Sequence, residues 1–358
     1  MTTPTHTDVT ITAPGDLVAA LPYLLGFHPV DSLIVLGQRG TGTELGLALR
    51  VDLPPPPGRA SEVAEQLVVP LVQQSTGAVT LIAIGHGDLT AGRDDDPPYR
   101  DVLDTFTAVF TEAGLPVAHR LWSPATAEGA RWRCYDEPGC DGVTPDPAST
   151  PMAAAAVVAG AVTYQRREDI AATLTPDDDE TLARRAVLLR RASETTEPGS
   201  ESGSESGAEH WTRSAQRFAT VLAAVSRAGC RLKVELTDED VVALIGALSD
   251  RYVREACLRF DDLEDEAAAQ RLWTALVRAT PAPERADPAC LLAITAYLRG
   301  NGVLAGLALD VAEKAHPGHV LAMLLRSALV TGMPPEQLEE VTIRAAKAAR
   351  PLFAEEPR

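Results

Sequence analysis

Leu21-Pro22-Tyr23-Leu24-Leu25-Gly26-Phe27-His28-Pro29-Val30-Asp31-Ser32-Leu33-Ile34-Val35-Leu36-Gly37 reads as a helix end, a capped turn and a strand buried on both faces. The helix begins at Ala13-Pro14-Gly15-Asp16 and carries Leu17, Ala20, Leu21 and Leu24 on one face, a helical period. Gly26 suits the position just past its end, where a left-handed backbone costs glycine little. The unbroken apolar run from Leu33 to Leu36 is what a doubly covered strand requires. The polar residues His28, Asp31 and Ser32 fall in the connection, where α/β domains keep their chemistry.

Working outward, residues 9–11 form a short strand candidate, and a Gly-Thr-Gly-Thr turn at 40–43 leads into a second strand over 45–53, a hairpin. Residues 54–57 are a proline break. A helix follows over 60–74 with Ser61 as its cap, then a buried strand over 79–84 that ends in Gly85-His86-Gly87-Asp88. Asp94-Asp95-Asp96 lies in a loop without the calcium-loop pattern. The spacing predicts a helix over 99–113, stopped at Gly114, and strands over 116–122 and 130–135. Alternating strands and helices imply an α/β fold with a mixed, partly parallel sheet.

Beyond Pro151 the pattern is helical: residues 152–164, 167–174 and 179–192. Residues 194–208 then hold no large apolar side chain and only negative charge, the composition of a disordered acidic Gly/Ser linker. From residue 209 onward, helix follows helix, with Thr237-Asp238-Glu239-Asp240 as a capping box. Gly300, Ala305, Ala312 and Pro317 have the small-residue spacing of one tetratricopeptide-like hairpin. The expected organisation is an α/β domain over 1–193, the linker over 194–208, and an all-α, repeat-like domain over 209–358.

Composition narrows the function. The chain has 358 residues, enough for about two domains, with 45 % hydrophobic residues and a formal net charge of −18. An acidic chain gains nothing from phosphate neutralisation, so neither nucleic acid nor an anionic membrane is an expected partner. No uninterrupted apolar run reaches the ~18 residues of a membrane span, and the first residues lack a basic region followed by an apolar core. The odd set Cys134, Cys140, Cys230, Cys257 and Cys290 fits a reducing cytoplasm.

Several groups of residues carry potential chemistry. His28, Asp31 and Ser32 combine an imidazole, a carboxylate and a hydroxyl within five positions, and turn chemistry explains the same residues. No Gly-x-Ser-x-Gly elbow and no phosphate-loop Lys-Ser/Thr pair occurs. Gly37, Gly40 and Gly42 lead into a strand, which marks a hairpin turn. Cys134 and Cys140, with five residues between them, are open to three readings: a structural loop, a weak metal pair, or a redox pair. Arg166-Arg167-Glu168 at a helix start offers either an anion clamp or a surface ion-pair cluster. His316 and His319 sit at a helix joint and read as loop histidines.

Residues 21–35 resemble the opening signature of an actinobacterial family known only as domain-of-unknown-function family 4192. Arg50-Val51-Asp52-Leu53-Pro54 is similar to the same family. So are the Cys134 loop running through Ser149-Thr150-Pro151 to Arg166-Arg167-Glu168, and the stretch from Arg299-Gly300-Asn301-Gly302 through His316-Pro317 to Gly332-Met333-Pro334-Pro335. The resemblance implies a cytoplasmic actinobacterial protein and brings no reaction, catalytic residue or cofactor with it. The sequence alone favours a non-enzymatic binding or regulatory protein whose helical domain contacts a protein partner. The competing expectation is an enzyme or small-ligand sensor with an anionic-ligand pocket at the strand ends, built from Asp31, Ser32, Arg50, Asp52, Arg166, Arg167 and Glu168.

Overall fold

A computed structural model describes residues 13–39, 44–56, 58–86, 97–158, 160–196, 207–231, 233–260 and 263–350. The expected strand at 9–11, the turn at 40–43, the acidic loop at 94–96 and linker residues 197–206 lie outside the described residues. Contacts divide the chain into two units, Met1–Asp169 with Val330–Pro334, and Ile170–Leu329 with Pro335–Arg358.

The first unit opens with α1 (Pro14–Leu25), whose C-cap Gly26 is left-handed at φ 79°. β1 (Ser32–Arg39) and β2 (Glu44–Asp52) form an antiparallel pair. α2 (Ala60–Gln73), β3 (Thr76–Ile84), α3 (Arg100–Glu112) and β4 (Val117–Ser123) follow, then β5 (Arg131–Cys134) and β6 (Asp141–Val143). The six strands lie in the order β2-β1-β3-β4-β5-β6. β3 and β4 are parallel, joined across α3, and the other neighbours are antiparallel. This is the mixed, partly parallel sheet expected from the sequence.

The apolar run in β1 behaves as a doubly covered strand should. Leu33 and Val35 join a core with Leu71 of α2, Leu81 and Ala83 of β3, and Leu103, Phe106 and Phe110 of α3. Side chains alternate along a strand, so Ile34 and Leu36, equally buried, take the opposite face. Phe106 and Phe110 meet edge to face with centroids 5.9 Å apart, a favoured aromatic geometry.

Two short elements differ from expectation. The helix expected over 152–164 is α4 (Pro151–Val158) and no more. Gly160 turns left-handed at φ 63°, its N–H bonds Val157 O, and Ala161 N–H bonds Ala156 O at 2.9 Å. That pattern satisfies the last carbonyls and stops the helix, freeing Tyr164 to pair with Phe27 in a parallel bridge. Residues 141–143 lie in β6 because Arg131, Trp132 and Arg133 offer an edge to pair with. α5 (Arg167–Ala172) spans the boundary between the two contact units.

The second unit is all helix: α6 (Asp179–Thr196), α7 (Gly207–Gly229), α8 (Asp238–Leu248), α9 (Arg251–Ala256), α10 (Leu263–Ala279), α11 (Ala286–Leu298), α12 (Gly302–Ala315), α13 (Val320–Val330) and α14 (Pro335–Ala349). The sequence reading drew a border at 193; contacts part the chain at Asp169/Ile170 instead. A buried cation explains why α6 sides with the helices after it. Arg185 Nη1 donates to Asp177 Oδ2 at 2.7 Å and to Ala279 O at 3.0 Å, and Nε donates to Asp238 Oδ1 at 2.9 Å. Residues 194–196, placed in the linker by composition, are the last residues of α6, and Gly207 and Ala208 are the first of α7.

α11 is buried on nearly every side, from Ala289 through Ala296, and is the hub of this unit. Ala305, Ala308 and Ala312 of α12 are buried, and their small side chains let α12 approach α11 closely. Thr237 caps α8 in a complete capping box with Asp240.

Candidate functional site

β3 and β4 run in the same direction, and their carboxyl ends meet the amino end of β1 and the carboxyl end of β2 along one sheet edge. Ser32 pairs with both Asp52 and Ile84, and Ile84 pairs with Ser123. Ligands favour the carboxyl edge of parallel strands in open α/β sheets. Here the sheet brings together four of the sequence-selected residues, Asp31, Ser32, Arg50 and Asp52.

Each is held by local chemistry. Gly26 ends α1, and Tyr164 N–H bonds its carbonyl at 2.8 Å while His28 N–H bonds Tyr164 O at 3.1 Å. His28 Nδ1 lies 3.3 Å from Thr126 Oγ1. Partial burial pushes the His28 pKa below its usual value, favouring neutral imidazole. Ser32 is fully buried; its Oγ donates to Val30 O at 2.7 Å and accepts from Arg50 Nε at 2.8 Å. Arg50 Nη1 also pairs with Asp52 Oδ1 at 2.6 Å. Ser32 is thus a positioning hydroxyl, and Arg50 spends its charge on neighbours within the fold.

Asp31 is different. Its carbonyl accepts Leu53 N–H at 2.8 Å, but its backbone sits at φ 42°, a region L-residues seldom adopt. Its side chain reaches Gly85, the residue after β3, which has φ 154°. A Cβ built on Gly85 would stand 2.8 Å from Asp31 Oδ1 and 3.2 Å from Tyr99 Oη. Tyr99 is a second non-glycine residue with positive φ, at 68°, and it leads into α3. The Gly85 backbone is fixed from the other side: its N–H bonds Ser123 O at 3.1 Å, and its carbonyl accepts Trp122 Nε1 at 2.9 Å. Three positive-φ residues from three separate chain segments therefore converge on one point at the strand edge. At the two non-glycine residues, Asp31 and Tyr99, such backbone strain costs on the order of 1–3 kcal/mol each and clusters at functional sites.

Sequence reasoning passed over Gly85 and Tyr99. Gly85 stood only as the end of a strand, and Tyr99 as the first residue of a helix. Nothing local to either marks the encounter, which depends on β1 lying beside β3.

Arg166, Arg167 and Glu168 are exposed at the start of α5, where Arg166 N–H donates to Asp169 Oδ2 at 2.9 Å. Cys134 and Cys140 face each other across β5 and β6, with Cys134 N–H bonded to Cys140 O at 2.9 Å. Among the described residues, no three His, Cys, Asp or Glu side chains are placed to hold a metal ion together.

The helical unit contains one cluster of catalytic appearance. His319 places Nδ1 3.6 Å from Cys290 Sγ and Nε2 3.3 Å from Asp287 Oδ1, a thiol–imidazole–carboxylate chain. Its surroundings argue for structure. Cys290 is wholly buried, and desolvation pushes its thiol up to about 12, so the nucleophilic thiolate is suppressed. Nδ1 also accepts Ala322 N–H at 3.3 Å, making His319 the cap of α13 rather than a loop residue. With Nδ1 accepting, the proton sits on Nε2 and donates to Asp287, tying α13 to α11.

A family model described as Domain of unknown function (DUF4192) matches residues 14–336. The chain belongs to that family. The matched span of this DUF4192 protein includes the strand edge, the cysteine pair and the α11–α13 clamp. No curated protein and no solved structure matches the chain. Among the described residues, no helix of this DUF4192 protein is long and apolar enough to cross a membrane.

Proposed function

We propose that the α/β unit of this protein binds a small polar ligand at the carboxyl ends of β3 and β4. The observation that carries the reading is the meeting of Asp31, Gly85 and Tyr99, each at positive φ, packed so closely that a Cβ on Gly85 would stand only 2.8 Å from Asp31 Oδ1. The groups offered there are a carboxylate and a phenol, with a neutral-leaning imidazole and the Thr126 hydroxyl on the same edge. Arg50 already pairs with Asp52 and Ser32, so the chemistry suits a ligand bearing hydroxyl or amino donors better than the anion expected from the sequence. The reading assigns binding and no reaction.

A thermal-shift screen of the full chain with polyols, nucleosides and amino acids tests it. A ligand at 100 times its dissociation constant stabilises by about 2.7 kcal/mol. The expected result is a hit whose shift is lost in Asp31→Asn. A panel without any shift, or a hit indifferent to Asp31→Asn, overturns the proposal.

A second reading concerns the helical unit. Val320, Met323 and Leu324 of α13 are 67 %, 53 % and 63 % exposed and share one helical face. We propose that this face meets a protein partner. Co-purification that survives Met323→Lys and Leu324→Lys unchanged refutes it. A cytoplasmic setting is part of the same proposal, supported by five unbridged cysteines.

A further inference from the structure

The cysteine pair carries a site that neither reading above uses. The β5–β6 ladder pairs Arg131 with Val143, Trp132 with Gly142, and Arg133 with Asp141. One step further, the same register sets Cys134 directly opposite Cys140, and Cys134 N–H bonds Cys140 O at 2.9 Å. Directly opposed residues in an antiparallel pair have Cα atoms about 4.5–5.5 Å apart, inside the roughly 4.4–6.8 Å span of disulfides. Both residues are half-buried, so a small oxidant reaches them without unfolding. The turn between them is already closed: Cys140 N–H bonds Glu137 O at 3.1 Å, and Gly139 is left-handed at φ 82°. The backbone spacing of such a pair falls within the range that a disulfide spans.

We propose that Cys134 and Cys140 are a reversible dithiol–disulfide pair, a modification site whose substrate class is a low-molecular-weight disulfide. The thiolate of one cysteine attacks a sulfur of the small disulfide, forming a mixed disulfide and releasing one small thiol. The second cysteine loses its proton and attacks the protein sulfur of that mixed disulfide, releasing the second small thiol. The protein loses two electrons and two protons, and the small disulfide gains them as two thiols. Burial and the neighbouring Cys134 raise the Cys140 thiol above its usual value.

The bond would lock a turn with structural reach. Tyr135 follows Cys134 directly, and its hydroxyl donates to Pro98 O at 2.5 Å. Pro98 precedes Tyr99, one of the two non-glycine residues with positive φ at the strand edge. Asp136, the next residue, pairs with Arg120, which also pairs with Asp104.

The other cysteines supply internal controls: Cys230 is exposed, and Cys257 and Cys290 are buried. The full chain carrying Cys230→Ser is equilibrated with mixtures of reduced and oxidised glutathione and quenched by alkylation. Intact mass and peptide mapping then read the product. The expected product is a Cys134–Cys140 disulfide, about 2 Da lighter than the dithiol, reversed by dithiothreitol. Adding Cys140→Ser should instead leave a glutathione adduct on Cys134. Two alkylatable thiols at every glutathione ratio overturn the proposal, as do stable adducts on both cysteines with no internal bond. Neither outcome depends on a ligand at the strand edge, so the two proposals fail separately.

Discussion

Replacing Gly85 by alanine tests the strand-edge geometry most directly. Two penalties combine. The backbone at φ 154° is one that L-residues avoid, which costs on the order of 1–3 kcal/mol. The new Cβ would also stand 2.8 Å from Asp31 Oδ1, and Asp31 has little freedom because its carbonyl is bonded to Leu53 N–H. The sum is a loss of about 2–4 kcal/mol. Gly114 is the control: its φ is 79°, and a Cβ there would meet nothing within 4 Å. Gly114→Ala should therefore cost only the backbone term, roughly 1–2 kcal/mol. Urea unfolding of the full chain, with hydrogen exchange in β3 assigning the transition to the first unit, supplies both numbers. The Asp31→Ala/Gly85→Ala double variant isolates the contact, and it should recover roughly 1 kcal/mol relative to the summed single losses. If the cycle is additive within about 0.3 kcal/mol, Asp31 and Gly85 do not press on one another and the proposed floor of the site dissolves.

Other consequences follow from the same structure. Arg185→Met removes a cation bonded to Asp177 and Asp238; because Arg278 and Arg184 remain beside those carboxylates, the loss in chemical unfolding should sit near the lower end of about 3–5 kcal/mol. Arg184 and Arg185 hold the Asp238 pKa down at about 2, against 3.8 for the free residue. A depressed carboxylate pKa stabilises the fold above the unfolded value, so this contribution should be complete above pH ~4 and vanish as pH falls towards 2. An NMR titration of Asp238 checks it, and an ordinary carboxylate midpoint would refute the ion-pair assignment. Desolvation pushes Cys257 and Cys290 up to about 12, so native protein at pH 8 should be alkylated at Cys230 while both stay protected until unfolding. Rapid labelling of Cys290 would reopen the nucleophile reading of its contact with His319.

Much of the fold was legible because its signals are local. The run from Leu33 to Leu36 could only be a strand covered on both sides, and the alternation of strands with 13- and 14-residue helices implied the mixed sheet. Thr237 and Asp240 announced the start of α8 through capping chemistry that operates within four residues. Asp31 and Ser32 were legible as residues worth attention for the same reason: polar groups preceding a buried strand. The errors have mainly long-range causes. The apolar residues after Pro151 suggested a helix to 164, but Gly160 and the pairing of Tyr164 with Phe27 ended it. Residues 179–192 looked like a trailing helix of the first domain because the partners of Arg185, at Asp238, Leu236 and Ala279, are some fifty to ninety positions away.

The stretch from Leu21 to Gly37 shows where the division falls. Its own residues determined a helix, a glycine cap and a buried strand, since burial pattern and backbone preference are written at short range. They also placed Asp31 at the mouth of that strand. Which neighbours Asp31 would meet depended on β1 lying between β2 and β3, and on β3 running parallel to β4. Those pairings are set by packing the whole sheet against its helices. Only the tertiary structure could bring Gly85 and Tyr99 to Asp31, or set Cys134 opposite Cys140, because each contact is a sum of long-range choices that no single segment encodes.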